Sequence, residues 1–135
     1  MLMRQSLGIS LLFGALLTVV TTEAQSISWT LPESALTERS PLEPTADVLK
    51  KGKGVFASSC QKCHGPEGKG DGPDGNRDEP PADLTLAARA AANPDGVLFY
   101  KIWNGRSQPK MPAFKSQLTK DQVWAVVEYV KTLRK

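Results

Sequence analysis

An all-α domain of four to five helices is what the sequence predicts, and three observations carry that expectation. Apolar residues recur every three or four positions in three separate segments, the mark of one-sided helices. Beyond residue 24 no alternating apolar and polar run competes with them as a strand. Between the periodic segments lie stretches dense in glycine and proline, which end helices and build loops. The chain has 135 residues and a formal net charge of +3, which suits one small domain. Only 40% of the residues are hydrophobic, so the core is modest. The charge supports solubility, and without a dense basic stripe nucleic acid is not an expected partner.

The chain divides into three parts. Residues 1–24 read as a signal peptide: Arg4 gives a positive start, Leu7 to Val20 an apolar stretch, and Thr22 and Ala24 small residues before a cleavage point. The apolar stretch is short against the roughly 20 residues that a membrane span needs; an uncleaved N-terminal anchor is the alternative. Export implies a periplasmic or otherwise exported location. Residues 25–46, with "SISWTLPESALTERSPLEP" at their centre, read as a Pro-rich arm or linker. Trp29 and Leu31 are unusual in a plain linker and are expected to pack on the domain itself, with docking onto a partner as the alternative. The domain proper spans residues 47–135.

Within the domain, "TADVLKKGKGVFASS" places Val48, Gly52, Val55, Phe56 and Ser59 on one helical face. Thr45 can cap this helix, and Asp47 suits its first turn. A glycine costs about 1 kcal/mol in a helix interior, so Gly52 on the apolar face implies that another helix crosses closely there. "GPEGKGDGPDGNRDEPP" cannot form core and is a loop; it lacks the ligand order of a calcium-binding loop. "ADLTLAARAA" is expected to be a short helix starting near Asp83 or Thr85. Asn93 then caps a further helix, with Pro94 its first residue, Leu98, Ile102 and part of Phe99 or Trp103 buried, and Gly105 its end. "RSQPKMPAFKSQ" is loop again. The last helix, residues 120–134, has Thr119 and Gln122 as a capping box and Leu118 stapling onto Val123. Its apolar stripe is Val123, Val126, Val127, Val130 and Leu133.

The chemistry concentrates in "CQKCHG". Cys60 and Cys63 are the only cysteines and His64 the only histidine. A disulfide between thiols three residues apart staples nothing distant, and a redox-active thiol pair does not need His64. Structural zinc wants four ligands, and an iron–sulfur cluster normally wants four cysteines. The spacing CxxCH reads instead as a covalent attachment site for haem c, with two thioethers from the cysteines and iron bound by one nitrogen of His64. Its other ring N–H is then expected to donate to a backbone carbonyl. The opposite face of the iron lacks a second histidine. Met1 and Met3 lie in the leader, which leaves Met111, between Lys110 and Pro112, as the soft candidate. A lone methionine is ordinarily core filler; beside this motif it becomes a candidate ligand. One haem also supplies the apolar body that a small core lacks.

Four features, "GKGVF" ahead of Cys60, "CQKCHG", "NGRSQPKMPAF" and "VWAVVEYVKTL", make the chain resemble the class I monohaem cytochromes c, bacterial and exported. The resemblance covers roughly residues 47–135. It implies crossed terminal helices, with Gly52 and Phe56 meeting Val126 and Tyr129, and Met111 as sixth ligand. It also implies that Pro66 and Pro112 shape the haem surroundings and that Trp103 and Arg106, ahead of Asn104 and Arg77, contact the propionates. The function it implies is one-electron transfer between a periplasmic donor, a dehydrogenase or quinol-oxidising complex, and an acceptor oxidase or reductase. It would not itself be an enzyme. The alternatives are a haem c subunit of a larger dehydrogenase or respiratory complex and a haem-based sensor. Contact with a membrane is expected only through a partner or an uncleaved leader.

Overall fold

The computed structural model describes residues 29–135; the expected signal peptide lies outside the described residues. Among them are five α-helices: α1 (Glu33–Thr37), α2 (Ala46–Ser59), α3 (Gln61–His64), α4 (Asp95–Asn104) and α5 (Lys120–Leu133). A single 3₁₀ turn spans Ala87–Arg89, and the one β-bridge among the described residues joins Arg106 to Met111. The all-α expectation holds.

Helices α2 and α5 form the main crossing. The Thr45 hydroxyl caps α2 by accepting the Val48 N–H at 3.3 Å, and Thr119 and Gln122 close the capping box of α5. Gly52 is the crossing point: a Cβ there would run into the Ala125 carbonyl oxygen and stand 2.9 Å from Tyr129 Cβ. The close approach expected at Gly52 is therefore real, although its partner is the Ala125 backbone rather than Val126. One turn on, Phe56 meets the Tyr129 ring at 5.4 Å between centroids. Val123, Val126, Val127 and Val130 are all buried, so the stripe of α5 faces the core as its periodicity requires.

Helix α4 closes the other side. Its Phe99 stacks on Trp124 of α5 at 4.2 Å and on Trp103 at 5.6 Å between ring centroids. The helix begins one residue later than expected, with Pro94 in the capping position and no side-chain cap. Asn93 is otherwise engaged: its amide donates to the Arg89 carbonyl and its oxygen accepts from Lys101 Nζ at 2.6 Å.

Two expectations change at the element level. The helix expected in "ADLTLAARAA" is reduced to the 3₁₀ turn. Asp83 folds back to accept both the Thr85 N–H at 2.8 Å and its hydroxyl at 2.6 Å, a local turn that competes with helix initiation. Leu86 is 45% exposed, so no apolar face pulls the segment into a longer helix. The arm, read as free of helix, contains α1, while its docking on the domain is as expected. Ala35 is buried, the Gly96 N–H donates to the Glu38 carbonyl, and the Ser40 N–H donates to Asp95 Oδ2 at 3.1 Å.

Candidate functional site

Cys60 stands at the joint between α2 and α3. Its N–H still donates to Phe56 O at 2.8 Å, but its φ of −115° breaks the helix, and its carbonyl starts the next turn by accepting from His64 N at 2.9 Å. The bend puts Cys60, Cys63 and His64 on one short turn of their own.

The glycine-rich loop wraps that turn. The Asp74, Gly72 and Gly70 N–H groups donate to the carbonyls of Lys62, Cys63 and His64 at 2.8, 3.0 and 2.8 Å. These are the carbonyls that a helix end leaves without partners. Gly72 is needed for the approach, because a Cβ there would meet the backbone of Lys62 and Cys63 within 2.6 Å. The segment is thus an ordered clasp on the CxxCH turn. Its far end supplies Ala82, whose carbonyl lies 3.2 Å from His64 Nδ1. That contact fixes the ring through Nδ1 and leaves Nε2 as the nitrogen for a metal.

The electrostatics agree. Burial pulls the His64 pKa below its ordinary value, against the opposing pull of the Ala82 carbonyl, so the imidazole is neutral and its lone pair available at neutral pH. Burial, aided by Cys63, pushes the Cys60 thiol up to about 12. A reactive thiol pair needs the reverse shift, toward thiolate. Both cysteines are free and half-buried. Two unpaired thiols flanking a turn, with a neutral imidazole oriented by a carbonyl, fit the donor set of covalent haem c and suit a thiol redox centre poorly.

Met111 sits at the end of a closed loop that leaves α4 at Gly105. Arg106 and Met111 exchange both backbone hydrogen bonds, at 2.8 and 2.9 Å, and Arg106 Nε donates across the loop to Pro109 O at 2.9 Å. The Gln108–Pro109 peptide is cis. The loop is tied back to α4 where Phe114 N donates to Ile102 O and Lys115 N to Trp103 O. Cys60, Met111, Trp103 and Leu84 all border the same buried cluster, built on Phe56, Phe99 and Val127. Pro112 follows Met111 and is exposed, while Trp103 is half-buried. The Arg106 guanidinium packs over Trp29 at 4.6 Å from the ring centroid, so this candidate propionate contact has an additional neighbour from the arm.

Sequence reasoning missed Ala82, the Asp74 carbonyl 3.6 Å from Cys63 Sγ, and the role of the glycine-rich loop as a clasp. The first two act through backbone oxygens that every residue possesses. Only the concentration of glycines hinted at close backbone approach.

Known proteins resemble this chain in sequence and in fold. The Cbb3-type cytochrome c oxidase subunit FixP of Azorhizobium caulinodans is 33% identical over 86 residues, which is 64% of this chain and 27% of that protein. Among solved structures, the Kuenenia stuttgartiensis reducing HAO-like protein complex Kustc0457/Kustc0458 superposes with a TM-score of 0.62 at 32% identity, over 70% of this chain and 47% of that one. The KustC0563 c-type cytochrome does so with a TM-score of 0.54 at 27% identity, over 62% of this chain and 98% of that one. The chain therefore spans only about a quarter of the first relative and under half of the first structure. The family model for cytochrome c matches residues 49–134, and with the CxxCH turn inside that match, the chain belongs to the cytochrome c family of haem-based electron-transfer proteins.

Proposed function

We propose that the protein is a one-electron carrier with a single haem c, attached through Cys60 and Cys63 and coordinated by His64 and Met111. The observation that carries this reading is the His64 Nδ1 contact with the Ala82 carbonyl, which engages one ring nitrogen in orientation and would leave the other for iron. The bound group supplies the redox chemistry, its iron cycling between ferrous and ferric states. The chain would hold and tune it: His64 and Met111 would ligate the iron, and a methionine ligand would raise the reduction potential. With two protein ligands supplied by His64 and Met111, the iron would offer no ready site for a substrate, which would separate a carrier from an oxidase or a sensor. Pro112, Trp103 and Arg106 complete the proposed surroundings.

Residues 1–24 act in this reading as a signal peptide, residues 25–46 as an arm, and residues 47–135 as the cytochrome c domain working in the periplasm or outside the cell. Its partners are redox proteins, a donor dehydrogenase or quinol-oxidising complex and an acceptor oxidase or reductase. A second reading, a haem c subunit of a larger complex, is favoured by two of the relatives: one is an oxidase subunit, the other part of an HAO-like complex.

The test has two parts. Haem stain should stay with the chain on a denaturing gel and vanish in a Cys60→Ser, Cys63→Ser double variant. The oxidised protein at neutral pH should show the weak long-wavelength band of methionine-to-ferric-haem ligation, and Met111→Ala should abolish it. Absence of the band from the parent protein, or rapid carbon monoxide binding to its reduced form, would remove Met111 from the coordination sphere.

A further inference from the structure

The arm makes a contact that electron transfer by itself does not require. Trp29 is half-buried, and two cations gather on its ring: the Arg106 guanidinium carbon at 4.6 Å and Lys101 Nζ at 5.4 Å from the centroid. Cations of like sign repel each other. The Lys101 pKa is lowered by burial first and then by Arg106 and Arg89, and an aromatic face is a neutral surface that attracts both cations. The ring is not a loose end. The arm behind it is seated by buried Ala35, by the Glu38 carbonyl on Gly96 N–H at 3.1 Å, and by Ser40 N–H on Asp95.

Arg106 is also the residue that closes the Met111 loop. Its backbone exchanges two hydrogen bonds with Met111, and its Nε reaches Pro109 O inside the loop. One side chain thus touches the arm and the loop together. We propose that Trp29 is a positioning residue, which clamps the Arg106 side chain and, through it, the loop of residues 105–111 that presents Met111. The proposal deepens the reading given above and rests on Met111 being the sixth ligand.

The consequence is quantitative. A ligand carried on a loop leaves the iron when the loop opens, and the open fraction scales the apparent affinity of any competing ligand. Removing a cation–π partner at a half-buried site should raise that fraction about two- to fivefold. A mere loss of packing would lower the unfolding midpoint without changing competition at the iron.

The experiment titrates the oxidised holo-protein with imidazole, following loss of the methionine band, and records urea unfolding in parallel. Trp29→Ala should bind imidazole about two- to fivefold more tightly than the parent, and Trp29→Phe, which keeps a π face, should fall between them. Leu36→Ser, at an arm residue 51% exposed, should leave the affinity unchanged. Arg106→Lys should weaken the same clamp, so its effect and that of Trp29→Ala should not add. If Trp29→Ala does not load haem, Trp29→Leu fills the space without a π face and makes the same comparison. Equal imidazole affinity in parent and Trp29 variants overturns the clamp, as does an equal gain in Leu36→Ser. A parent protein without the methionine band fails the Met111 reading instead, and that result is visible before any variant is made.

Discussion

Gly52 and Gly54 are two positions apart on α2 and meet opposite surroundings. A Cβ at Gly52 would run into the Ala125 carbonyl, whereas one at Gly54 would find nothing within 4 Å. Replacing a helical glycine with alanine gains up to about 1 kcal/mol of helix propensity at either place. At Gly52 the two crossing helices must also separate, and overpacking of that kind costs about 1–3 kcal/mol. Gly52→Ala should therefore be neutral to destabilising and Gly52→Val destabilising by more than about 1 kcal/mol, while Gly54→Ala should stabilise by about 0.5–1 kcal/mol. Urea unfolding of the three holo-variants checks this, and a stabilised Gly52→Val would refute the crossing. Gly52 was legible in the sequence because a glycine on an apolar helical face weakens the helix and is tolerated where a neighbouring backbone needs the room. Cys60, Cys63 and His64 were legible as a candidate site because their spacing serves one chemistry far better than others. Ala82 was not, since a carbonyl acceptor has no side-chain signature and its partner lies 18 positions away in the chain.

At the scale of elements, helices with both a cap and a continuous apolar stripe were readable almost to the residue. Helix α5 is the clearest case, ending at Leu133 where Arg134 was expected. The errors fell where side chains chose local partners. Asp83 made a turn in place of a helix, and Asn93 took Lys101 and Arg89 in place of its capping role. The arm was legible in Trp29 and Leu31 as something that docks, but not in how it docks, because Ser40 to Asp95 is a contact across 55 positions. That contact belongs to a network joining arm, α4 and α5. Lys131 Nζ lies 3.1 Å from Asp95 and 3.0 Å from Glu128, and Glu128 is only 2% exposed. Burial alone would raise the Asp95 pKa, but the Ser40 N–H and Lys131 bring it below the ordinary value. Burial alone would lower that of Lys131, but Glu128 and Asp95 bring it above. A depressed carboxylate contributes stability that is present above its unfolded pKa and lost as pH falls through the folded one; a raised amine contributes stability lost only as pH rises through its folded value. The network should therefore hold between about pH 4 and pH 10 and weaken on either side. Lys131→Met leaves buried Glu128 without its cation. Allowing for the partial exposure of Lys131, the loss at neutral pH should be about 2 kcal/mol. Stability curves should also show a smaller drop below about pH 4 in the variant than in the parent. An unchanged acid limb would mean that Lys131 does not hold Asp95 down.

On the scale of the whole molecule, the open choice is between a carrier that diffuses and a subunit that stays bound. Obligate interfaces are large and apolar at their centre, like a core cut in half. The large hydrophobic side chains that stand exposed among the described residues are Leu36 and Leu86, and two isolated residues are ordinary for a protein surface. No helix among them is long and apolar enough to cross a membrane. Lys50, Lys51, Lys53 and Lys62, by contrast, stand exposed along α2 and α3, close in sequence to the CxxCH turn. Lys69 adds less, because Glu67 pairs with it at 2.6 Å. Exposed charge near the redox group favours brief encounters steered by an acidic partner, with a rate that falls as salt shortens the screening length. The arm offers a fixed assembly little, since Trp29 and Ala35 are spent on the protein's own domain. The expected outcome is a monomeric haem protein, beginning near Gln25, recovered from the soluble exported fraction of gently lysed cells. Native mass, N-terminal sequencing and haem absorbance measure this together, and electron transfer to an acidic acceptor should slow with rising ionic strength. Co-purification with a dehydrogenase or oxidase through size exclusion at high salt would decide for the bound subunit, because a contact steered by exposed lysines does not survive that condition.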